Sequence, residues 1–361
     1  MNETANHEQR SSPPSRRPSR RYLIFGLKIL VPILILSWLF WKERESILDQ
    51  WDRPKDWALL AISLVSLLTL TCVSFFRWFL LVRALEIPFT IRQAVRLGFL
   101  GYLFNFVGPG AVGGDLFKAY FVAQGQQERK AEAVATILLD RVLGMFCLLC
   151  VASCAVFMAG VADLPQLGTF LKTVVVLTIV GGLGILLLLL PSQFTDWLFE
   201  PMSKWPLVGN VVIRVRAALA LYRKRRLWLL IVFVLGVTIH MMMAMTIRWI
   251  DLALHPEVPK LAEHMIISPL ASVASAAPVP GGLGTYEAAM DFLFQRLPSK
   301  PTEDGQGLHV AIVYRLITIV IAAIGAVYYA LNRGEITQVV SEIDSDPNSH
   351  SKRTSNEGSG R

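Results

Sequence analysis

Charge is scarce in this chain. Asp, Glu, Lys and Arg make up 17% of its 361 residues, against about 25% in soluble globular domains. Hydrophobic residues make up 53%. Several mostly apolar windows exceed about 18 residues, long enough to cross a bilayer. The composition excludes an ordinary soluble domain. It points to an all-α, polytopic integral membrane protein.

Cysteine is also scarce. Cys72, Cys147, Cys150 and Cys154 all fall in apolar runs, which excludes a disulfide framework in an exported loop. Cys147 and Cys150 have the spacing of a metal pair, but their apolar helix has no His or acid nearby to complete a site. They read as small apolar helix residues. The net charge of +8 is no sign of a nucleic-acid partner. The basic residues lie in tails and loops beside apolar runs, where membrane orientation accounts for them.

Residues 1–21 form a polar arm with Arg10, Arg16, Arg17, Arg20 and Arg21 among Ser and Pro. Such an arm is expected to be disordered and cytoplasmic. Residues 22–41 follow as a first span. The run is too long for a signal peptide and ends in Trp38, Phe40 and Trp41 rather than a small-residue cleavage site. Further full spans are expected at 57–81, 133–159, 169–190, 227–250 and 309–331, giving about six in a transmembrane domain over 22–333. Residues 334–361 are expected to be a disordered cytoplasmic tail. Two weaker apolar segments, about 94–124 and 262–297, are broken by Pro-Gly stretches. Each is expected to enter the membrane, turn and leave on the same side.

Basic residues fix the direction, because cytoplasmic loops carry the excess of Lys and Arg. With the N-terminal arm inside and both broken segments re-entrant, Arg83, Arg92, Arg129 and Lys130 fall inside. So does the basic loop 191–226, and the C-terminal tail returns there. The loop 160–168, which has no Lys or Arg, falls outside, as do the loops around 251–263 and 298–308. Only 42–56 fits less well, mixing Lys42, Arg44, Arg53 and Lys55 with five acids. The first broken segment then enters from the cytoplasm and the second from outside. That is the layout of an inverted repeat, common in secondary transporters.

The two broken segments share a template. Residues 105–120 read NFVGPGAVGGDLFKAY and 277–290 read APVPGGLGTYEAAM. Each places Pro-Gly before a further Gly and then one acid, Asp115 or Glu287. An Arg in an apolar helix follows 26 and 28 residues later, Arg141 and Arg315. In the first, Pro109 ends a helix, while Gly108, Gly110, Gly113 and Gly114 permit a bare backbone turn. A new helix is expected from about Leu116, with Asp115 as its N-cap and Lys118 within reach of a phosphate. A packing hinge without a ligand is the alternative. In the second, Pro278 and Pro280 end a helix, Gly281, Gly282 and Gly284 make the turn, and Thr285 is expected to cap the next helix. Glu287 and Asp291, four apart, share a face.

Asp140 and Arg141 lie mid-span, and Arg315 about two turns into the last span. Charges at that depth need partners. Asp115 with Arg315 and Glu287 with Arg141 would pair across the repeat. Asp115 with Arg141 and Glu287 with Arg315 would pair locally. Either a buried ion pair fixes the bundle, or a polar cavity receives an anionic headgroup. The second reading is preferred, with Asn105 and His309 lining the same cavity. Elsewhere, Arg77 and Arg248 near span ends are expected to snorkel. His240 with Met241, Met242, Met243 and Met245 reads as core packing, and Asp344 with Asp346 as part of a disordered tail.

These motifs in order resemble the lysylphosphatidylglycerol synthase transmembrane family, a flippase-like integral membrane family, over about residues 22–333. Asn105, Pro109, Gly113, Gly114, Asp115, Asp140, Arg141, Pro280, Gly281, Gly284 and Glu287 carry the pattern. The chain departs from it at Ala111, where a basic residue is usual, and at Lys118, where Arg is usual. Members are prokaryotic, and the best known join this domain to a soluble aminoacyl-lipid synthase. The resemblance implies translocation of a phospholipid or lipid-linked anion across the bacterial cytoplasmic membrane, without a cofactor or metal. The 361 residues leave no room for the synthase domain, so lysyl transfer is not expected, though a separate lipid-modifying transferase is an expected partner. The rival readings are a membrane-embedded lipid-modifying transferase and a non-transporting subunit of such an enzyme.

Overall fold

Asp56 begins the first long helix by accepting hydrogen bonds from the Ala58 and Leu59 amides at 2.9 and 3.1 Å, satisfying two donors that a helix start leaves open. In this computed structural model, residues 53–107, 113–124, 129–189 apart from 163, 165 and 166, 226–276 and 282–331 are described, with seven isolated positions besides. The described residues form α1 (Trp57–Ala84), α2 (Ile91–Val107), α3 (Gly113–Gln124), α4 (Lys130–Ala159), α5 (Gly168–Leu189), α6 (Arg226–Leu254), α7 (Leu261–Ala274), α8 (Thr285–Arg296) and α9 (Gln306–Leu331). No strand occurs among them. The protein is an all-helical, multi-pass membrane protein.

Five of these helices, α1, α4, α5, α6 and α9, are long and apolar enough to cross a membrane. At about 1.5 Å per residue, the 28 residues of α1 reach well beyond the hydrocarbon thickness. The span expected at 22–41 lies outside the described residues, as do both tails and most of the 191–225 loop. Helix α4 stops where Gly160 turns left-handed at φ 69°. There the Val161 amide reaches back to Val156 O and the Gly160 amide to Phe157 O, closing the helix end.

The two broken segments are helical hairpins. In the first, α2 and α3 run antiparallel. Asn105 Oδ1 accepts from the Gly114 amide at 3.0 Å near the tip, and Gly101 meets Lys118 farther down. A Cβ on Gly114 would lie 2.0 Å from Gly101 O, so the two backbones touch only because this residue has no side chain. In the second, α7 and α8 are also antiparallel. Gly282 lies against Ser275 near the tip, and Glu263 at the open end accepts from Ser299.

The halves repeat. Exchanging α1 with α6, α2 with α7, α3 with α8 and α4 with α9 converts the principal helix contacts into one another: α2·α9 into α7·α4, α3·α4 into α8·α9, and α1·α2 into α6·α7. Helix α5 stands outside the exchange and packs on α4, with Val176, Leu177, Val180 and Leu183 exposed as lipid-facing residues would be. The exchanged helices α1 and α6 run antiparallel. The Asp56 amide bonds to Ala253 O at one end, Ser66 to Thr246 at 2.8 Å farther along, and Arg77 lies beside Gly236 at the other end. Two equivalent spans in opposite directions make this an inverted repeat with the layout of many transporters.

Candidate functional site

Each hairpin presents its acid at the third residue of the return helix, Asp115 in α3 and Glu287 in α8. Each acid binds the arginine of the span that follows. Arg141 on α4 forms a two-point pair with Asp115, Nε to Oδ2 at 2.5 Å and Nη2 to Oδ1 at 2.7 Å. Arg315 on α9 donates from Nε to Glu287 Oε1 at 2.9 Å. Of the two pairings open from sequence, the local one is the one formed.

The two pairs differ in their surroundings. In the first, the Arg141 side chain is 51% exposed and Asp115 18%. In the second, Arg315 is 13% exposed and Glu287 3%. Glu287 Oε2 also accepts from the Gly284 amide at 2.7 Å, and the guanidinium of Arg315 lies 5.8 Å from the Tyr286 ring centre.

The helix starts differ from expectation. Helix α3 begins at Gly113, not near Leu116, so Asp115 is already inside the first turn and its carboxylate is taken by Arg141. The side chain that satisfies the Gly114 amide is Asn105. In the second hairpin the cap is Gly284, at φ 79°, because the turn needs a left-handed residue. Thr285 is the first helical residue and bonds instead to Gly282 O. Glu287, three residues past the cap, reaches back to the Gly284 amide, as the acid of a capping box does. The remaining hinge candidates Gly108, Pro109, Gly110, Pro280 and Gly281 lie outside the described residues.

Neighbouring Asp140 and Arg141 point to different faces of α4 and serve different partners. Asp140 holds Arg77 of α1 through two bonds, Nε to Oδ1 at 2.9 Å and Nη2 to Oδ2 at 3.1 Å. Arg77 therefore does not snorkel. Its side chain is 8% exposed, in a slot between Gly144 and Gly236, where a Cβ would come within 3.1–3.2 Å of the guanidinium. Arg248 donates to Pro259 O in the loop that follows α6. Lys118 lies over the rings of Trp78 and Phe75, at 5.4 and 5.8 Å, and makes no ion pair among the described residues.

Counting formal charges, the first cluster has Arg77, Lys118 and Arg141 against Asp115 and Asp140, one positive charge in excess. In the second, Arg315 is paired with Glu287. Asp291 accepts from Gln295 one turn on, at 2.8 Å.

His309 does not join Asn105. It meets His255 at the far end of α6, Nδ1 to Nε2 at 3.3 Å, in a buried group with Asp251 and His264 that the sequence reading missed. The signal was faint: Asp251 and His255 are one turn apart, but the other two members lie in separate helices. Cys147 packs with its thiol toward Phe233 O, as an apolar helix residue would.

The family model for the lysylphosphatidylglycerol synthase TM region matches residues 23–325, which takes in every described helix up to most of α9. Comparison with curated proteins and with solved structures gave no match.

Proposed function

We propose that this chain, which belongs to the lysylphosphatidylglycerol synthase TM region family, moves an anionic phospholipid or lipid-linked substrate across the cytoplasmic membrane. The observation that carries this reading is the exposed Asp115–Arg141 pair at the first hairpin, with Lys118 beside it and one positive charge to spare. A phosphate arriving there meets a guanidinium already oriented by a carboxylate and an ammonium held on aromatic faces. Such charge-assisted contacts are the strong ones. The lipid tails stay in the bilayer outside.

The inverted second hairpin supplies the other half of an alternating site. Its pair is sealed, which suits a state in which the first side is open and the second closed. The Pro-Gly turns give the hinge. The termini lie in the cytoplasm in this reading, as the loop charges require. A separate transferase that makes the substrate is its natural partner.

The test uses purified full-length protein in proteoliposomes with a fluorescent, tail-labelled phosphatidylglycerol, scored by headgroup accessibility in each leaflet. Arg141→Gln is expected to slow movement by about tenfold or more, the value of a lost charge-assisted bond. Unchanged movement by a folded Arg141→Gln protein would contradict the assignment.

A further inference from the structure

Four titratable side chains meet in a closed pocket where α6, α7 and α9 join. Asp251 and His264 are fully buried, and His255 and His309 are 3% and 6% exposed. Asp251 Oδ1 takes His255 Nδ1 at 3.0 Å and Gln306 Nε2 at 2.8 Å, and its Oδ2 faces His264 Nε2 at 3.0 Å. His255 Nε2 continues to His309 Nδ1 at 3.3 Å. The result is an unbroken chain His264–Asp251–His255–His309 across three helices.

His264 cannot satisfy this geometry as a neutral ring beside a carboxylate. Its Nδ1 lies 3.1 Å from Lys260 O, a carbonyl that only accepts, and its Nε2 faces the Asp251 carboxylate, which also only accepts when ionised. A neutral imidazole has one N–H, so it can serve one of these two acceptors and turns a lone pair on the other. Two acceptors pointed at each other in a buried site are costly. Both contacts are satisfied at once only with one more proton, either on the ring as an imidazolium or on Asp251 as the acid.

Among the described residues, the neighbouring charged groups are turned elsewhere: on α1, packed here on α6, Asp56 caps its own helix and Lys55 donates to Arg53 O. On α7, Glu263 is occupied by Ser299 and the Lys260 amide, and the Lys260 side chain is exposed. On α6, Arg248 is turned to Pro259 O. Helix α8 offers the Phe294 ring edge to His264. In the 297–305 loop, Glu303 is paired with Arg53, and Asp304 lies next to it in the chain. Of Glu257, whose side chain is exposed, only the carbonyl is involved, accepting from Gln306.

Among the described residues, the matching corner of the first half holds no such buried group. Where α1, α2 and α4 meet, Val82, Leu85, Ile87, Ala94, Ala133 and Ile137 are buried instead.

We infer that the Asp251–His255–His264–His309 cluster is a proton-binding site that holds the entry helix of the second hairpin against α6. With the proton bound, α7 is docked by the His264–Asp251 bond. When it leaves to water, the neutral ring can serve only one of its two acceptors, and the charge-assisted bond to Asp251 is weakened or lost. The docked state binds the proton more tightly, so docking is strong at low pH and weakens as pH rises. The site itself stands on this geometry. Its coupling to lipid movement rests on the proposed function, and there it makes the proton the driving or gating ion on the side of the second hairpin.

Hydrogen–deuterium exchange of α7 in the full-length protein in nanodiscs tests this without requiring any lipid movement, so its failure is separate from failure of the transport reading. After correction for intrinsic rates, α7 amides are expected to exchange faster as pH rises, by up to about tenfold per pH unit where the site gives up its proton. Asp251→Asn gives a neutral ring a donor for Nε2 and removes the anion. It is expected to fold, stay docked and lose the pH response. His264→Gln, which cannot ionise, is expected to lose the response too. A wild-type α7 with flat exchange, or an Asp251→Asn protein that keeps the wild-type response, would overturn the site.

Discussion

The two hairpins have the same backbone plan and different surroundings for their ion pairs. Both are antiparallel helix pairs with an acid at the third residue of the return helix, bound to an arginine of the next span. Yet the first pair is open and lies in a cluster with one positive charge in excess, while the second is buried. The first half closes its open end with apolar packing and the second with a protonatable chain. Sharing a template does not make the halves equivalent. On the proposed reading, the first holds an anion and the second responds to a proton.

Breaking the buried pairs is expected to have the largest effect. Arg315→Met leaves Glu287 charged at 3% exposure, and removing one partner of a buried pair costs about 3–5 kcal/mol. Chemical unfolding in detergent would show it as loss of stability before any question of transport. Arg77→Met strands Asp140 and should cost somewhat less, about 3 kcal/mol, because Asp140 is 17% exposed. Adding Asp140→Leu should recover most of that loss, since a well-packed apolar pair replaces a buried ion pair at little cost. At the bottom of the scale, Arg141→Gln is expected to change stability by no more than about 1 kcal/mol. It breaks an exposed pair, and its effect belongs in lipid movement. If Arg141→Gln and Arg315→Met destabilised the protein equally, the contrast between an open and a sealed hairpin would fail.

Much of this was readable in the residues. Apolar runs located the five described spans to within a few residues, because a bilayer enforces long uniform helices. Pro and Gly located both hairpins, since backbone turns need them. Charge counts in the loops anticipated the inverted arrangement. Partner choice was not readable. Asp115 faces Arg141 rather than Arg315 because the return helix packs on the span that follows it, a fact of tertiary packing. Arg77 looked like a snorkelling residue because nothing in its own helix reveals the glycine slot formed by Gly144 and Gly236, which come from two other helices. The Asp251 cluster escaped for the same reason, with its members spread over residues 251 to 309. The cap at Gly284 was missed by one position, because a left-handed turn outweighed the hydroxyl of Thr285.

The alternating-site reading depends on the two hairpins entering from opposite faces. Single cysteines at Lys130, after the first hairpin, and at Lys300, after the second, are both exposed positions and report on this directly in a cysteine-free background. A membrane-impermeant maleimide added to intact cells should label Lys300→Cys at once and Lys130→Cys only after permeabilisation. Labelling of both from the same side would contradict the inverted arrangement, and with it the alternating site.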